Sequence, residues 1–96
     1  MHTWLGRAVN ELRQRLEWSQ EELGHAIGKH GGHATDYMTV SRWERGIEAP
    51  SPVKRVALGK IADRHRQEDL ADIFRAGTSA WRLVARLDSW QKREGQ

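Results

Sequence analysis

The residues with the most suggestive chemistry lie between positions 37 and 45 of the chain. Val40 and Trp43 are apolar and three residues apart, so both would face inward on a helix. The opposite face would then carry side chains that can contact another molecule: Tyr37, Met38, Ser41, Arg42 and Arg45. A polar helix face is most often only solvated, but this one follows a predicted helix and turn and combines two arginines with an aromatic residue. The pattern therefore favours a recognition surface whose ligand is a nucleic acid.

The charge of the chain supports this interpretation modestly. The 96 residues, enough for one domain, include 16 Lys/Arg and 13 Asp/Glu, which gives a net charge of +3. Residues 1–66 hold 11 of the basic and 8 of the acidic side chains, whereas residues 67–96 hold five of each. The positive excess therefore lies in the part of the chain that contains the recognition surface.

Other kinds of site are disfavoured. The chain has no cysteine, so it has no disulfide and no thiolate ligand or nucleophile. His25, His30 and His33 are clustered, but no well-spaced carboxylate joins them and glycines separate them, so we expect no metal site. No Ser/His/Asp set, phosphate-binding loop or paired carboxylates is present at useful spacing. We therefore expect a protein that is not an enzyme and needs no cofactor.

The apolar residues recur at helical spacing nearly throughout, and no alternating run predicts a strand. We expect an all-α fold, a compact bundle of five to six helices. Their predicted inward residues are Leu5, Ala8, Val9, Leu12 and Leu16; Leu23 and Ile27; Val40 and Trp43; Val53, Val56, Ala57 and Ile61; Leu70, Ile73 and Phe74; and Ala80, Leu83, Val84, Leu87 and Trp90.

Short-range signals set the expected ends of these helices. The first helix is predicted at Thr3–Leu16 and the second at Gln20–Ile27, with a capping box from Ser19 to Glu22 and a stop at Gly28. Thr35 or Asp36 would cap a third helix that runs to Arg45 before Gly46. Ser51 would cap the fourth, with Pro52 in its first turn, and a fifth is predicted at Glu68–Arg75. Gly24 and Ala26 are small enough for the second and third helices to approach closely.

Three stretches of the sequence form a recognisable pattern: WSQEELGHAIG at 18–28, TVSRWERG at 39–46 and Pro50-Ser51-Pro52. Together they resemble the phage-repressor-like, XRE-type helix-turn-helix family, and the resemblance covers residues 5–62. It implies a lambda-repressor-like helix-turn-helix formed by helices two and three, within a DNA-binding domain at 1–66. The implied function is a sequence-specific transcriptional regulator, a repressor or autoregulator, that binds double-stranded DNA. The interval from Gly28 to Val40 is about six residues longer than the family's usual turn. The extra residues are either a tolerated surface insertion or a segment in which Lys29, His30 and His33 lie along the DNA backbone.

The resemblance also implies a role for individual residues. Those expected to read base edges are Tyr37, Met38, Ser41 and Arg42. Those expected to contact phosphates are Gln20, Lys29, Thr39 and Arg45. Arg42 is the leading candidate for direct readout, because its planar fork matches O6 and N7 of guanine. Arg13 is expected to pair with Glu44 and to fix the recognition helix without reading a base.

Residues 67–96 are expected to form a helical extension that either covers the domain or meets a second copy, and we favour a homodimer. A dimer would read a palindrome whose half-sites lie about one helical turn, roughly 34 Å, apart. Two alternatives stay open: an antitoxin, with a toxin as its protein partner, or a helix-turn-helix used for protein binding alone. The first seven residues contain no apolar run, which predicts no leader and no membrane segment and makes the cytoplasm the expected location.

Overall fold

The computed structural model describes residues 3–31 and 33–76, and within these ranges the regular structure is entirely helical. The five helices are α1 (Thr3–Leu16), α2 (Gln20–Lys29), α3 (Tyr37–Glu44), α4 (Pro52–Arg64) and α5 (Glu68–Ala76). The all-α prediction is thus confirmed for the described part of the chain. The sixth predicted helix, with Ala80, Leu83, Val84, Leu87 and Trp90, lies outside the described residues. None of the described helices has the length and apolar character needed to cross a membrane.

The five helices enclose one apolar core. Helix α1 packs against α3 and α5, α2 packs against α3 and α4, and α4 packs along α5. The core consists of Leu5, Ala8, Val9, Leu12, Leu23, Ile27, Val40, Trp43, Ala57, Leu58, Ile61, Ala62, Leu70, Ala71, Ile73 and Phe74. The expected inward stripes of α1, α2, α3 and α5 are confirmed, although Leu16 is only partly buried at the edge.

The inner face of α4 was predicted correctly only in part. Val53 and Val56 were expected to be buried, but 58% and 56% of their surfaces are exposed. Ala57 and Ile61 are buried as predicted, and Leu58 joins them in the core in place of the two valines. Helix α4 has apolar residues on more than one side, so periodicity alone cannot select the buried face; the packing of α5 selects it.

The helix starts follow the predicted capping chemistry. The Ser19 hydroxyl accepts from the Glu22 backbone N–H at 3.0 Å, and the Glu22 carboxylate accepts from the Ser19 N–H at 2.8 Å, which completes the capping box. Ser51 caps α4 in the same way, through the Lys54 N–H, ahead of Pro52. These bonds satisfy backbone donors that have no partner inside the helix.

Two predicted helix ends need correction. Gly28 does not end α2, which continues through Lys29; the chain turns at Gly31, where φ is +99°. Helix α3 ends one residue earlier than expected, so that Arg45 is its C-cap, and Gly46 follows with φ +75° as predicted. Both turns use the left-handed region that glycine adopts without steric cost.

Candidate nucleic-acid interface

The start of α3 is fixed by Asp36. Its side chain accepts a hydrogen bond from the Thr39 backbone N–H at 2.8 Å, which makes Asp36 the N-cap. The hydrogen bond to the Thr39 backbone lowers the pKa of Asp36 below its ordinary value, so the cap is ionised near neutral pH. As a result, Tyr37 and Met38 occupy the first turn of the helix.

Burial on one side of α3 leaves the predicted reading residues on the other. Val40 is completely buried and Trp43 is 3% exposed, and these two anchor the helix in the core. Tyr37 and Met38 are 56% and 51% exposed, so two large side chains lie next to each other at the surface. Helix α3 therefore presents an apolar and aromatic edge at its amino-terminal end.

Backbone contact at two glycines sets the distance of α3 from its neighbours. A Cβ atom built on Gly6 of α1 would lie 2.1 Å from the Trp43 carbonyl oxygen. One built on Gly24 of α2 would lie 1.8 Å from the Thr35 carbonyl oxygen, just before α3. The Thr35 N–H donates to the Gly24 carbonyl at 3.0 Å, so the backbones are in direct contact. Any side chain larger than hydrogen would push α3 away from α1 or α2, as expected for Gly24. For Ala26, the other small residue predicted at this contact, the structure shows only partial burial against the core.

Glu44, at the other end of α3, joins that helix to α1. Its carboxylate accepts from Arg13 Nε at 2.8 Å and from Arg13 Nη2 at 3.0 Å, a two-point contact. The Asn10 amide donates to the same carboxylate at 2.8 Å. The Glu44 side chain is only 8% exposed, and that of Arg13 is 18% exposed.

The electrostatics of this cluster favour the charged pair. Burial alone raises the pKa of Glu44, but hydrogen bonds from Arg13 and Asn10 and the charge of Arg13 outweigh it, so the net shift is downward. The hydrogen bond to Glu44 raises the pKa of Arg13. Arg13 also donates to the Trp18 carbonyl at 3.2 Å. Its guanidinium therefore ties α3 both to α1 and to the turn that precedes α2.

Gln20, the predicted phosphate contact on α2, lies beside this cluster. Its side-chain amide donates to Glu44 Oε1 at 3.4 Å, the longest of the contacts to that carboxylate. Gln20 is the first residue of α2, where backbone N–H groups and the helix dipole favour an anion. The first turn of α2 and the last residue of α3 are thus close together.

Arg42, the leading candidate for base readout, has a loose acidic neighbour. Its Nη1 atom lies 3.8 Å from Glu48 Oε1, and the two side chains are 43% and 44% exposed. Such an exposed, long ion pair contributes little to stability. Of the other predicted contacts on this helix, Ser41 and Thr39 are half-buried and Arg45 is exposed.

Lys29 and the loop histidines have a different setting. Lys29 lines a shallow hollow with Trp18, Glu22 and His25, all on α2 or the turn before it. His30, the C-cap of α2, lies near the carboxyl-terminal end of α4, and burial and the charges of Arg64 and Lys60 lower its pKa.

His33 is exposed, and its carbonyl accepts a hydrogen bond from Lys54 of α4. The loop is therefore held against α2 and α4 rather than extended along α3. Within residues 3–31 and 33–76, no three histidine, aspartate or glutamate side chains are grouped so that they could hold a metal ion.

Sequence reasoning missed two residues that belong to this surface. Asn10 completes the shell of Glu44, and its position one helical turn before Arg13 was the signal that the two share a face. Lys54 lies in the first turn of α4 and joins it to the 30–36 loop, a long-range contact for which the sequence carries no signal.

The motifs and the geometry above are the basis for assigning a function. Comparisons with models of protein families, with curated proteins and with solved structures gave no match.

Proposed function

We propose that the protein is a sequence-specific DNA-binding regulator of transcription, acting as a repressor or autoregulator, in which α2 and α3 serve as a helix-turn-helix. The observation that carries the proposal is the exposed edge formed by Tyr37 and Met38 on a helix that Val40 and Trp43 anchor in the core. A short, firmly held helix with exposed side chains at its amino-terminal end suits insertion into the major groove.

Direct readout is assigned to Arg42. Its guanidinium leaves Glu48 and donates two parallel hydrogen bonds to O6 and N7 of a guanine, a contact that discriminates against a wrong base by about 1–3 kcal/mol. Little is lost in the exchange because the contact to Glu48 is 3.8 Å long and solvent-exposed. Tyr37 and Met38 supply apolar contact to a thymine methyl group or a sugar, and Ser41 lies on the same face.

Phosphate contacts hold the helix in register. Gln20 reaches a phosphate from the amino-terminal end of α2, and Thr39 and Arg45 contact the backbone from α3. Lys29 adds a positive charge near the end of α2. Because cationic contacts release counterions from DNA, affinity falls steeply as the salt concentration rises.

Dimerisation is part of the same proposal. Two copies on a palindrome with half-sites about 34 Å apart would each insert one α3. Light scattering at micromolar concentration checks this part, and a monomer both free and on DNA would contradict it.

The test of the proposal is selection of binding sites from a random DNA pool with the wild type and with Arg42→Ala. The wild type should enrich one motif, and Arg42→Ala should lose the preference at a single guanine while it keeps the others. Arg64→Ala, which removes an exposed cation from the last turn of α4, is the matched control and should keep the whole motif. Failure of the folded wild type to prefer any oligonucleotide at low ionic strength would refute the proposal.

A further inference from the structure

The carboxyl-terminal ends of α2 and α4 lie close together, and both are basic. Lys29 is the last residue of α2 and His30 is its C-cap. Arg64 and His65 occupy the same two positions in α4, and Lys60 lies one helical turn earlier. We call these five residues the corner cluster: Lys29, His30, Lys60, Arg64 and His65.

Short contacts show that the corner cluster is a single surface. The Lys60 Nζ atom lies 3.7 Å from the position that a Cβ atom would take on Gly31, the residue after His30. Burial and the positive charges of the other four members lower the pKa of His30, so positively charged groups border its ring. The His65 ring packs edge-on against Trp18, with 5.4 Å between the ring centroids. The cluster is therefore anchored by α2, by α4 and by the turn that precedes α2.

The acidic side chains of the described residues leave this charge unpaired. None of the ion pairs within residues 3–31 and 33–76 includes Lys29, Lys60 or Arg64, and all three side chains are exposed. Asp63 is the acidic residue next to Arg64, but it pairs with Arg75 of α5. The corner thus carries three permanent positive charges and two histidines with no acidic partner in the described part of the chain.

The helix ends account for only part of this charge. The carboxyl-terminal end of a helix carries about half a negative charge, which is why cations there stabilise the helix. Two helix ends therefore offset about one of the three permanent charges and leave an excess of about two, before either histidine is protonated. Like charges held together repel one another, so an excess that the fold does not neutralise indicates an anionic ligand.

We propose that the corner cluster is a binding site for phosphate groups, supplied either by a free multivalent phosphate or by the backbone of a nucleic acid. Phosphate oxygens accept charge-assisted hydrogen bonds from ammonium and guanidinium groups, and a multivalent phosphate carries the two or more negative charges that match the excess. Lys60 and Arg64 are four residues apart on one face of α4, so two donors from that helix can converge on one group. Lys29 is the one member that also belongs to the interface proposed above, and the site does not depend on that proposal.

The ring of His30 reports on occupation of this site. A bound anion offsets the charges of Lys29, Lys60, Arg64 and His65, which now disfavour protonation of the ring. Binding should therefore raise the pKa of His30. A ligand elsewhere on the molecule would leave this pKa unchanged, so the signal of the ring distinguishes the corner cluster from other cationic surfaces.

The test is a titration of the full-length chain with inorganic triphosphate at low ionic strength, followed by NMR of the His30 ring, whose signal is identified by its loss in His30→Gln. The double variant Lys60→Gln/Arg64→Gln should bind about tenfold more weakly or worse, because two charge-assisted contacts are lost. The matched control is Arg42→Gln/Arg45→Gln, which removes the same charge from α3 and should keep the affinity of the wild type at His30. Circular dichroism establishes that both variants are folded.

A DNA titration then distinguishes the two sources of phosphate. If the backbone occupies the site, Lys60→Gln/Arg64→Gln weakens binding to every duplex alike and lowers the salt slope of the affinity by about 2, without a change in sequence preference. If DNA affinity and salt slope are unchanged, the ligand is a free multivalent phosphate.

Three results would overturn the inference: an unchanged triphosphate affinity in Lys60→Gln/Arg64→Gln, an equal loss in the control variant, or equally tight binding of citrate, since any anion would then suffice. The triphosphate titration contains no DNA, so its result is independent of whether the protein binds an operator.

Discussion

The exchange of Glu44 for alanine separates a structural role from a reading role at the proposed interface. The change removes the acceptor for Arg13 and Asn10, and with it the polar link between α3 and α1, while Val40 and Trp43 still anchor α3 in the core. It leaves the Arg13 guanidinium, 18% exposed, with the Trp18 carbonyl as the one acceptor that remains of those described above. We expect a large loss of stability with unchanged base preference.

The magnitude follows from the burial of the pair. Removing one partner of a fully buried ion pair costs about 3–5 kcal/mol. Because Arg13 retains some contact with water and one carbonyl, we expect about 2–4 kcal/mol for Glu44→Ala. For a domain of this size each kcal/mol lowers Tm by about 4–8 °C, so the loss should be evident in a thermal melt.

The assay combines urea denaturation with DNA binding at a temperature where both proteins are folded. Asp69→Ala is the control: Arg15 then keeps Glu11 at 2.8 Å and Gln67 at 2.9 Å, and Asp69 is 31% exposed, so the cost should be smaller, about 1–2 kcal/mol. A cycle of Arg13→Ala, Glu44→Ala and the double variant should give a coupling energy of about 1.5–3 kcal/mol. Normal stability of Glu44→Ala with lost base preference would refute the structural assignment.

Three further predictions concern packing, charge and pH. Gly24→Ala should lower the free energy of unfolding by about 3 kcal/mol, since its Cβ would lie 1.8 Å from a backbone oxygen. Gly59→Ala has room for a Cβ, so in the same denaturation assay it should raise the free energy of unfolding by up to about 1 kcal/mol. Glu48→Gln should tighten DNA binding several-fold in a titration at low salt, because it frees Arg42 and removes a negative charge near the phosphates. The folded-state pKa of Glu44 is depressed, so its stabilisation should be complete above pH 4.5 and fall as the pH drops through the lower folded pKa.

Each of these has a measurement that would contradict it. Equal stability of the two glycine variants would mean that the close approach of α2 to the following loop is not needed. For the charge prediction, Glu68→Gln in the first turn of α5 is the matched control, and an equal gain in affinity would reduce the effect to net charge. For the pH prediction, the stability of the wild type and of Glu44→Gln should converge below pH 4.5; a constant difference down to pH 3 would contradict it.

The local parts of the fold were predictable because their causes lie within a few residues. The Ser19 and Ser51 caps and the turn at Gly46 each depend on groups no more than four positions apart, and the structure has all three as predicted. The inward positions of α1, α2, α3 and α5 follow from apolar residues on a single side of each helix.

The errors have a long-range origin. Whether α4 buries Val56 or Leu58 depends on where α5 packs. The residues close to α4 in the sequence carry no signal for the position of α5. The predicted end of α2 was wrong because Gly28 serves a close approach to Ala34 rather than a turn: a Cβ atom built on Gly28 would lie 3.0 Å from the Ala34 Cα. A glycine in a sequence has the same appearance whether it serves a left-handed turn or a backbone contact.

The candidate site contains tight contacts and loose ones, and the difference separates the roles of its residues. Arg13 and Asn10 hold Glu44 at 2.8 Å in a nearly buried setting, which suits a fixed element of structure. Gln20 lies 3.4 Å from the same carboxylate and Arg42 lies 3.8 Å from Glu48. Both of these longer contacts place a donor beside a carboxylate oxygen, so a phosphate or a guanine can replace the acceptor without disturbing the core. In the proposed mechanism, binding exchanges the long contacts and keeps the short ones, and α3 can therefore enter the groove without a change in fold.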